Sequence, residues 1–88
     1  MSLRNYLLSI TEPAVKTTSL LDDEIIQFDI PQQISFGDFS TNIALLLAKK
    51  GKTNPRQLAQ KIVDAIKFDD KIISKIEIAG PGFINFFY

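Results

Sequence analysis

The stretch KIEIAGPGFINFFY, residues 75–88, decides the fold of this chain. Ile76 and Ile78 alternate with polar neighbours, which is the period-two pattern of a half-buried strand. A Gly-Pro-Gly turn follows and leads into FINFFY, whose apolar residues predict a second strand. The C-terminal part of the sequence therefore predicts two strands joined by a tight turn.

Alternation gives the last strand two different faces. The face expected to pack on helices carries Ile84, Phe86 and Tyr88. The other face carries Phe83, Asn85 and Phe87. An aromatic ring beside a side-chain amide can stack on an unpaired base and hydrogen-bond to its edge. The alternative is a strand buried on both faces, with Asn85 bonded to backbone and the extra rings covered by a missing neighbour.

Upstream of this stretch, the first half of the sequence predicts one helix and two strands. The apolar residues at helical spacing are Leu3, Tyr6, Leu7 and Ile10. We expect this helix to end near Thr11, because Pro13 disfavours helical geometry at the residue before it. In EIIQFDIP, residues 24–31, the strand face is predicted to comprise Ile26, Phe28 and Ile30. QQISFG, residues 32–37, predicts a short second strand.

Two more helices are predicted between residues 37 and 66. In GDFSTNIALLLAKKG, residues 37–51, the cap candidates are Asp38, Ser40 and Thr41, and Gly51 is expected to close the helix. Its stripe of large apolar residues comprises Ile43, Leu46 and Leu47. The third helix is expected to begin with Asn54 as its cap and Pro55 in its first turn. The resulting fold class is α+β, a two-layer sandwich with a four-stranded antiparallel sheet and helices on one face, in the order α-β-β-α-α-β-β.

Composition excludes several classes of function. The 88 residues contain neither cysteine nor histidine, which removes disulfides, thiolate or imidazole metal ligands and the usual near-neutral acid or base. We therefore expect no catalytic residue and no metal site in this chain. No apolar run approaches the roughly 18 residues of a membrane span, and residues 1–11 lack a signal-peptide pattern. We expect no membrane association and a cytoplasmic location.

Positive charge is concentrated in the second half of the chain. The net charge is zero, yet residues 49–88 hold eight basic and four acidic side chains. The basic residues that bracket the turn between the second and third helices are Lys49, Lys50, Lys52 and Arg56. Such a cluster can contact several phosphates. The alternative is a solvated helix end whose lysines interact favourably with the helix dipole.

Three motifs follow one another in this sequence: GDFSTNIALLLAKK, NPRQLAQKIVDAI and KIEIAGPGFINFFY. Together they resemble the N-terminal additional domain of arginyl-tRNA synthetases. In that family a Gly-Asp-aromatic-x-x-Asn helix start, an Asn-Pro-Arg-type helix start and an Ala-Gly-Pro-Gly-Phe-Ile-Asn strand occur in the same order. The resemblance covers about residues 22–88.

The resemblance implies that residues 1–88 are a single N-terminal tRNA-recognition domain of an enzyme that attaches arginine to its tRNA, using ATP with magnesium. The catalytic and anticodon-binding domains are absent from this chain. The implied partners are arginine tRNA, at the D-loop or elbow, and the catalytic domain of the same polypeptide. Because the His-Ile-Gly-His and Lys-Met-Ser-Lys signatures are missing, the fragment is not expected to bind a cofactor or to catalyse aminoacylation.

The resemblance also implies roles for particular residues. The family's base-contacting strand matches Phe83 as the stacking ring and Asn85 as the hydrogen-bonding amide, while Gly80 offers only its backbone. The basic cluster becomes a set of candidate phosphate contacts. A rival interpretation makes the domain chiefly a structural module that docks on the catalytic domain, with Phe87 in the interface, because an additional exposed ring would form an apolar patch.

Overall fold

The computed structural model describes residues 3–20, 24–31 and 37–88. Those residues contain three helices and a three-stranded antiparallel sheet. The elements are α1 (Leu3–Lys16), β1 (Phe39–Thr41), α2 (Ile43–Gly51), α3 (Pro55–Ala65), β2 (Lys75–Ala79) and β3 (Phe83–Phe87). α2 and α3 pack on each other and on β3, and α1 packs on α3. None of the described helices has the length and apolar character needed to cross a lipid bilayer.

β3 is the central strand of the sheet, which has the order β1-β3-β2. In the antiparallel register, Asn85 lies between Ser40 of β1 and Glu77 of β2. Ile84 and Phe86 are fully buried on the face that meets the helices. The two predicted C-terminal strands are therefore confirmed. The apolar character of β3 follows from its central place in the sheet.

The prediction of a four-stranded sheet is wrong for the described residues. Residues 24–31 form one isolated antiparallel bridge, in which Asp29 and Ser40 exchange two backbone hydrogen bonds of 2.7 Å each. Pro31 lacks an N–H group and cannot extend this pairing. Ile26 and Phe28 are buried as predicted, but Ile30 is 71% exposed.

The residues that were expected to cap α2 form a short strand, β1, instead. β1 was not predicted, because Ser40 and Thr41 also have the residue types that cap helices. The second predicted strand, residues 32–37, lies outside the described residues except for Gly37. The element order among the described residues is thus α-β-α-α-β-β instead of α-β-β-α-α-β-β.

α1 continues past Pro13 and ends at Lys16, so its predicted end near Thr11 is wrong. Proline inside a helix removes one hydrogen bond and crowds the preceding turn. The extension nevertheless buries Ala14 and Val15 almost completely in the core. The apolar area removed from water thus offsets the local cost of the proline.

The backbone N–H groups at the starts of α2 and α3 find their hydrogen-bond acceptors in different ways. Asn54 caps α3 as predicted, because its Oδ1 accepts hydrogen bonds from the N–H groups of Arg56 and Gln57, at 2.9 and 3.1 Å. At α2, the Oγ1 of Thr41 accepts from the N–H of Ile43 at 3.3 Å.

The remaining predictions about α2 are partly wrong. Gly51 is the last helical residue, and the left-handed position beyond it is occupied by Lys52. Leu46 was placed on the buried stripe, but it is 47% exposed; Ala44 and Ala48 are buried beside Ile43 and Leu47 instead.

Two buried threonines provide a matched test of the core. Thr11 is 0% exposed and Thr41 is 1% exposed, but the Oγ1 of Thr11 has no partner among the described residues. Thr11→Val should raise the free energy of unfolding by about 1 kcal/mol, because it removes an unpaired buried hydroxyl. Thr41→Val should lower it by a similar amount, because it leaves the N–H of Ile43 without its acceptor. Urea denaturation of the two variants measures both effects, and equal signs would contradict the assignment.

Candidate nucleic-acid interface

A groove of about 490 Å³ lies along the sheet and is lined by three segments that are distant in sequence. The segment of residues 24–31 contributes Asp29 and Pro31. The β1–α2 region contributes Ser40 and Asn42. The remaining lining residues belong to the end of β2, the turn after it and β3: Ala79, Gly80, Pro81, Phe83 and Asn85. The volume is within the range of small-ligand sites and is sufficient for one nucleotide.

Asn85 lies at the centre of the sheet and lines this groove. The residue is only 4% exposed, and no described residue forms a hydrogen bond with its side-chain amide. The only fully buried side-chain polar atom without a partner among the described residues is the Oγ1 of Thr11, so the amide of Asn85 still reaches the solvent in the groove. The alternative in which Asn85 bonds to nearby backbone is not found among the described residues. The amide is therefore available to a group that enters the groove.

Phe83 provides an accessible ring beside this amide. It is 39% exposed, two residues before Asn85 on the same strand, and therefore on the same sheet face. Ala79, its partner across the strand pair, is too small to cover the ring. The structure thus brings together a half-open aromatic ring and an unpaired amide, which are the two groups that the sequence pattern indicated.

The turn between β2 and β3 is fixed against the start of α3. Arg56 donates a hydrogen bond from Nη1 to the carbonyl oxygen of Gly80. A Cβ on Gly82 would lie 3.0 Å from the carbonyl oxygen of Pro55, so the backbone at this point approaches α3 closely. Gly80 and Arg56, which the sequence predicted separately as RNA contacts, also contact each other. Arg56 therefore holds the wall of the groove, and its other guanidinium N–H groups remain on an exposed side chain.

The rest of the basic cluster is not part of the groove. Lys50 donates to the carbonyl oxygen of Leu20 at 3.0 Å and pairs with Glu24 at 3.0 Å. Lys49 and Lys52 are exposed at the end of α2 away from Asn42, which places them about 13 Å along the helix axis from the groove. The cluster does not converge on one point, and the groove itself contains one charged lining residue, Asp29.

Phe87 lies at the other end of β3 and does not line the groove. Its ring is half-buried, and the Nζ of Lys75 lies 4.5 Å from the ring centroid. Lys75 also pairs with Glu77 at 2.7 Å. The ring predicted to be a bare interdomain contact is thus partly covered within the domain. Tyr88, predicted to pack on the helices, is 62% exposed and stacks on Phe39 with ring centroids 6.3 Å apart.

Several groove residues could not be found from local sequence patterns. Asn42 directly precedes α2, but its side chain forms no cap hydrogen bond. Asp38 was a further cap candidate, and its Oδ2 instead accepts from the N–H of Tyr88 at 2.9 Å. The only available signal for Asn42 was its place in the Gly-Asp-aromatic-x-x-Asn motif. Within the described part of the chain, no three acidic side chains form a group that could hold a metal ion.

Comparisons with known proteins agree with the motifs. The family described as the arginyl tRNA synthetase N terminal domain matches residues 3–88. The chain is 48% identical over 85 residues to an arginine–tRNA ligase of Chlorobium phaeobacteroides, covering 97% of this chain and 15% of that protein. It is 59% identical over 61 residues to the arginine–tRNA ligase of Idiomarina loihiensis, covering 69% of this chain and 10% of that protein.

Solved structures show the same fold in proteins with low sequence identity. The arginyl-tRNA synthetase of Thermus thermophilus matches with a TM-score of 0.79 and 20% identity, over 98% of this chain and 14% of that one. The enzyme of Plasmodium falciparum matches with a TM-score of 0.76 and 22% identity, over 97% of this chain and 16% of that one. The present chain therefore spans about one sixth of the length of these proteins.

Replacing Asn85 tests whether the amide has a structural role. Asn85→Leu should change the free energy of unfolding by less than about 1 kcal/mol, because the amide bonds to no described residue and reaches the solvent in the groove. Asn54→Leu is the control and should lower it by about 1 kcal/mol, because Asn54 accepts two backbone hydrogen bonds. Chemical denaturation gives both values. A large destabilisation by Asn85→Leu would mean that the amide is needed for folding.

Proposed function

Because this chain belongs to the family of arginyl-tRNA synthetase N-terminal domains, we propose that it is the tRNA-binding module of an arginine–tRNA ligase. The module contacts the D-loop at the outer corner of arginine tRNA. It thereby supports the attachment of arginine by a catalytic domain that uses ATP with magnesium. The parent enzyme acts in the cytoplasm, and this domain contributes RNA contacts only.

The observation that carries this proposal is the unpaired amide of Asn85, only 4% exposed and adjacent to the half-exposed ring of Phe83. An unpaired loop nucleotide can insert its base into the groove and stack on Phe83. The base edge then supplies the hydrogen-bond partner that Asn85 lacks. A base that pairs well with the amide is favoured over one that leaves it unsatisfied, so the arrangement supports selective recognition.

Charge contributes to this binding in a limited way. Lys49 and Lys52 are exposed and form no ion pair with any described residue, so they are available to phosphates of the RNA outside the groove. Lys50 is already engaged by Glu24, and Arg56 by Gly80. A net charge of zero argues for weak binding by the domain alone, with most of the affinity supplied by the remainder of the enzyme.

The proposal is tested by titrating the 88-residue chain at low salt with arginine tRNA, with a D-loop-substituted version and with an unrelated tRNA. Phe83→Ala should weaken binding to arginine tRNA by about 5- to 150-fold, since stacking on one base contributes about 1–3 kcal/mol. The matched control is Phe68→Ala, because Phe68 is also 39% exposed but does not line the groove.

The preference for the native D-loop should disappear in Phe83→Ala and persist in Phe68→Ala. Equal binding of all three RNAs by the unmodified chain would refute recognition of the D-loop by this domain. Equal losses in the two phenylalanine variants would show that the effect does not come from the groove.

A second candidate function is docking on the catalytic domain. Tyr88 favours it, because this ring is 62% exposed and Phe39 covers only one of its sides. Phe87 remains a candidate for the same interface, although Lys75 covers part of its ring.

Docking predicts that Tyr88→Ser weakens association with a separately produced catalytic domain by about tenfold, the scale of one lost aromatic contact. The same change should leave the tRNA titration unaltered, since Tyr88 does not line the groove. Association measured by calorimetry gives the result, and an unchanged affinity would exclude Tyr88 from such an interface.

A further inference from the structure

The two asparagines at helix starts behave differently. Asn54 has an extended backbone, with φ −76° and ψ 121°, and its side chain caps α3. Asn42 has φ −103° and ψ 17°, and its side chain makes no cap hydrogen bond. Asparagine is among the best N-cap residues because its side chain accepts from the first turn. At the start of α2, the Oγ1 of Thr41 instead accepts a hydrogen bond from the N–H of Ile43. The structure of α2 thus does not explain why an amide occupies position 42.

Asn42 lines the same groove as Phe83 and Asn85. It is half-exposed, and no described residue forms a hydrogen bond with its amide. A side chain that does not play the structural role typical of its position is expected more often at functional sites. The independent sign of a ligand is the amide of Asn85, which is almost fully buried and unpaired in the same groove.

We propose that Asn42 is a second hydrogen-bonding residue for the nucleotide that occupies the groove. This inference rests on the proposed function. The side-chain NH₂ of Asn42 donates to an acceptor on the base or ribose, while Asn85 engages another edge of the same nucleotide. Asn42 adds a donor to a groove in which the carboxylate of Asp29 can only accept when ionised.

Replacement by aspartate separates the role in binding from a role in folding. Asparagine and aspartate are equally good at the N-cap, and a negative charge interacts favourably with the start of a helix. Asn42→Asp should therefore leave the denaturation midpoint unchanged or raise it. In the groove, however, the same change replaces a donor with a charged acceptor, which repels the acceptor groups of a nucleotide.

The matched control is Asn54→Asp. It adds the same charge at the start of the neighbouring helix, but Asn54 does not line the groove. In the low-salt titration with arginine tRNA, Asn42→Asp should weaken binding by about tenfold or more, and Asn42→Ala by about 2- to 13-fold, the scale of one lost hydrogen bond. Asn54→Asp should weaken binding by less than about threefold, because added charge alone acts weakly at the surface.

The outcomes separate this inference from the proposed function. If the D-loop substitution and Phe83→Ala reduce binding while both Asn42 variants bind normally, the groove reads a nucleotide without Asn42 and the inference is overturned. Equal losses in Asn42→Asp and Asn54→Asp would overturn it too, since the effect would be one of general charge. If the D-loop substitution and Phe83→Ala have no effect, the proposed function and the inference both fail.

Discussion

The insertion of β3 between β1 and β2 is the constraint on which the rest of the structure depends. β1 and β2 each pair with β3, and among the described residues they do not pair with each other. One face of β3 buries Ile84 and Phe86 against the helices, where Phe28 meets the ring of Phe86 edge-on with centroids 5.8 Å apart. The other face carries Phe83 and Asn85 into the groove. A single strand thus supplies both the centre of the core and the centre of the candidate site.

This arrangement fixes the geometry of the groove with unusual precision for a small domain. Central strands are held by hydrogen bonds on both edges, so the backbone of Asn85 cannot shift without disturbing two strand pairs. The turn that precedes Phe83 is held by Arg56 and by its close approach to Pro55. The ring and the amide are therefore pre-organised, which reduces the entropy that binding has to overcome.

Local sequence patterns correctly predicted the elements that depend on residues close together in the chain. Alternation and a Gly-Pro-Gly turn were sufficient for β2 and β3, and Asn54 with Pro55 was sufficient for the start of α3. The alternating residues 24–31 failed as a strand, because pairing needs a partner edge and β1 offers only three residues. Phe83, Asn85 and Gly80 could be placed together because they are neighbours in sequence. Asn42 and Asp29 could not, because only the tertiary fold brings them to the groove.

The central position of β3 also determines the order in which the domain can fold during synthesis. Phe39 of β1 lies opposite Phe86 of β3 in the sheet, so it has no partner until Phe86 has been synthesised. The intervening residues take about 2 to 9 seconds to synthesise at typical rates. Until β3 has been made, neither β1 nor β2 has its strand partner. The β2–β3 hairpin then forms within microseconds, and the docking of β1 closes a long loop more slowly. We therefore expect the sheet to assemble from its C-terminal hairpin back toward β1, against the direction in which the ribosome delivers the chain.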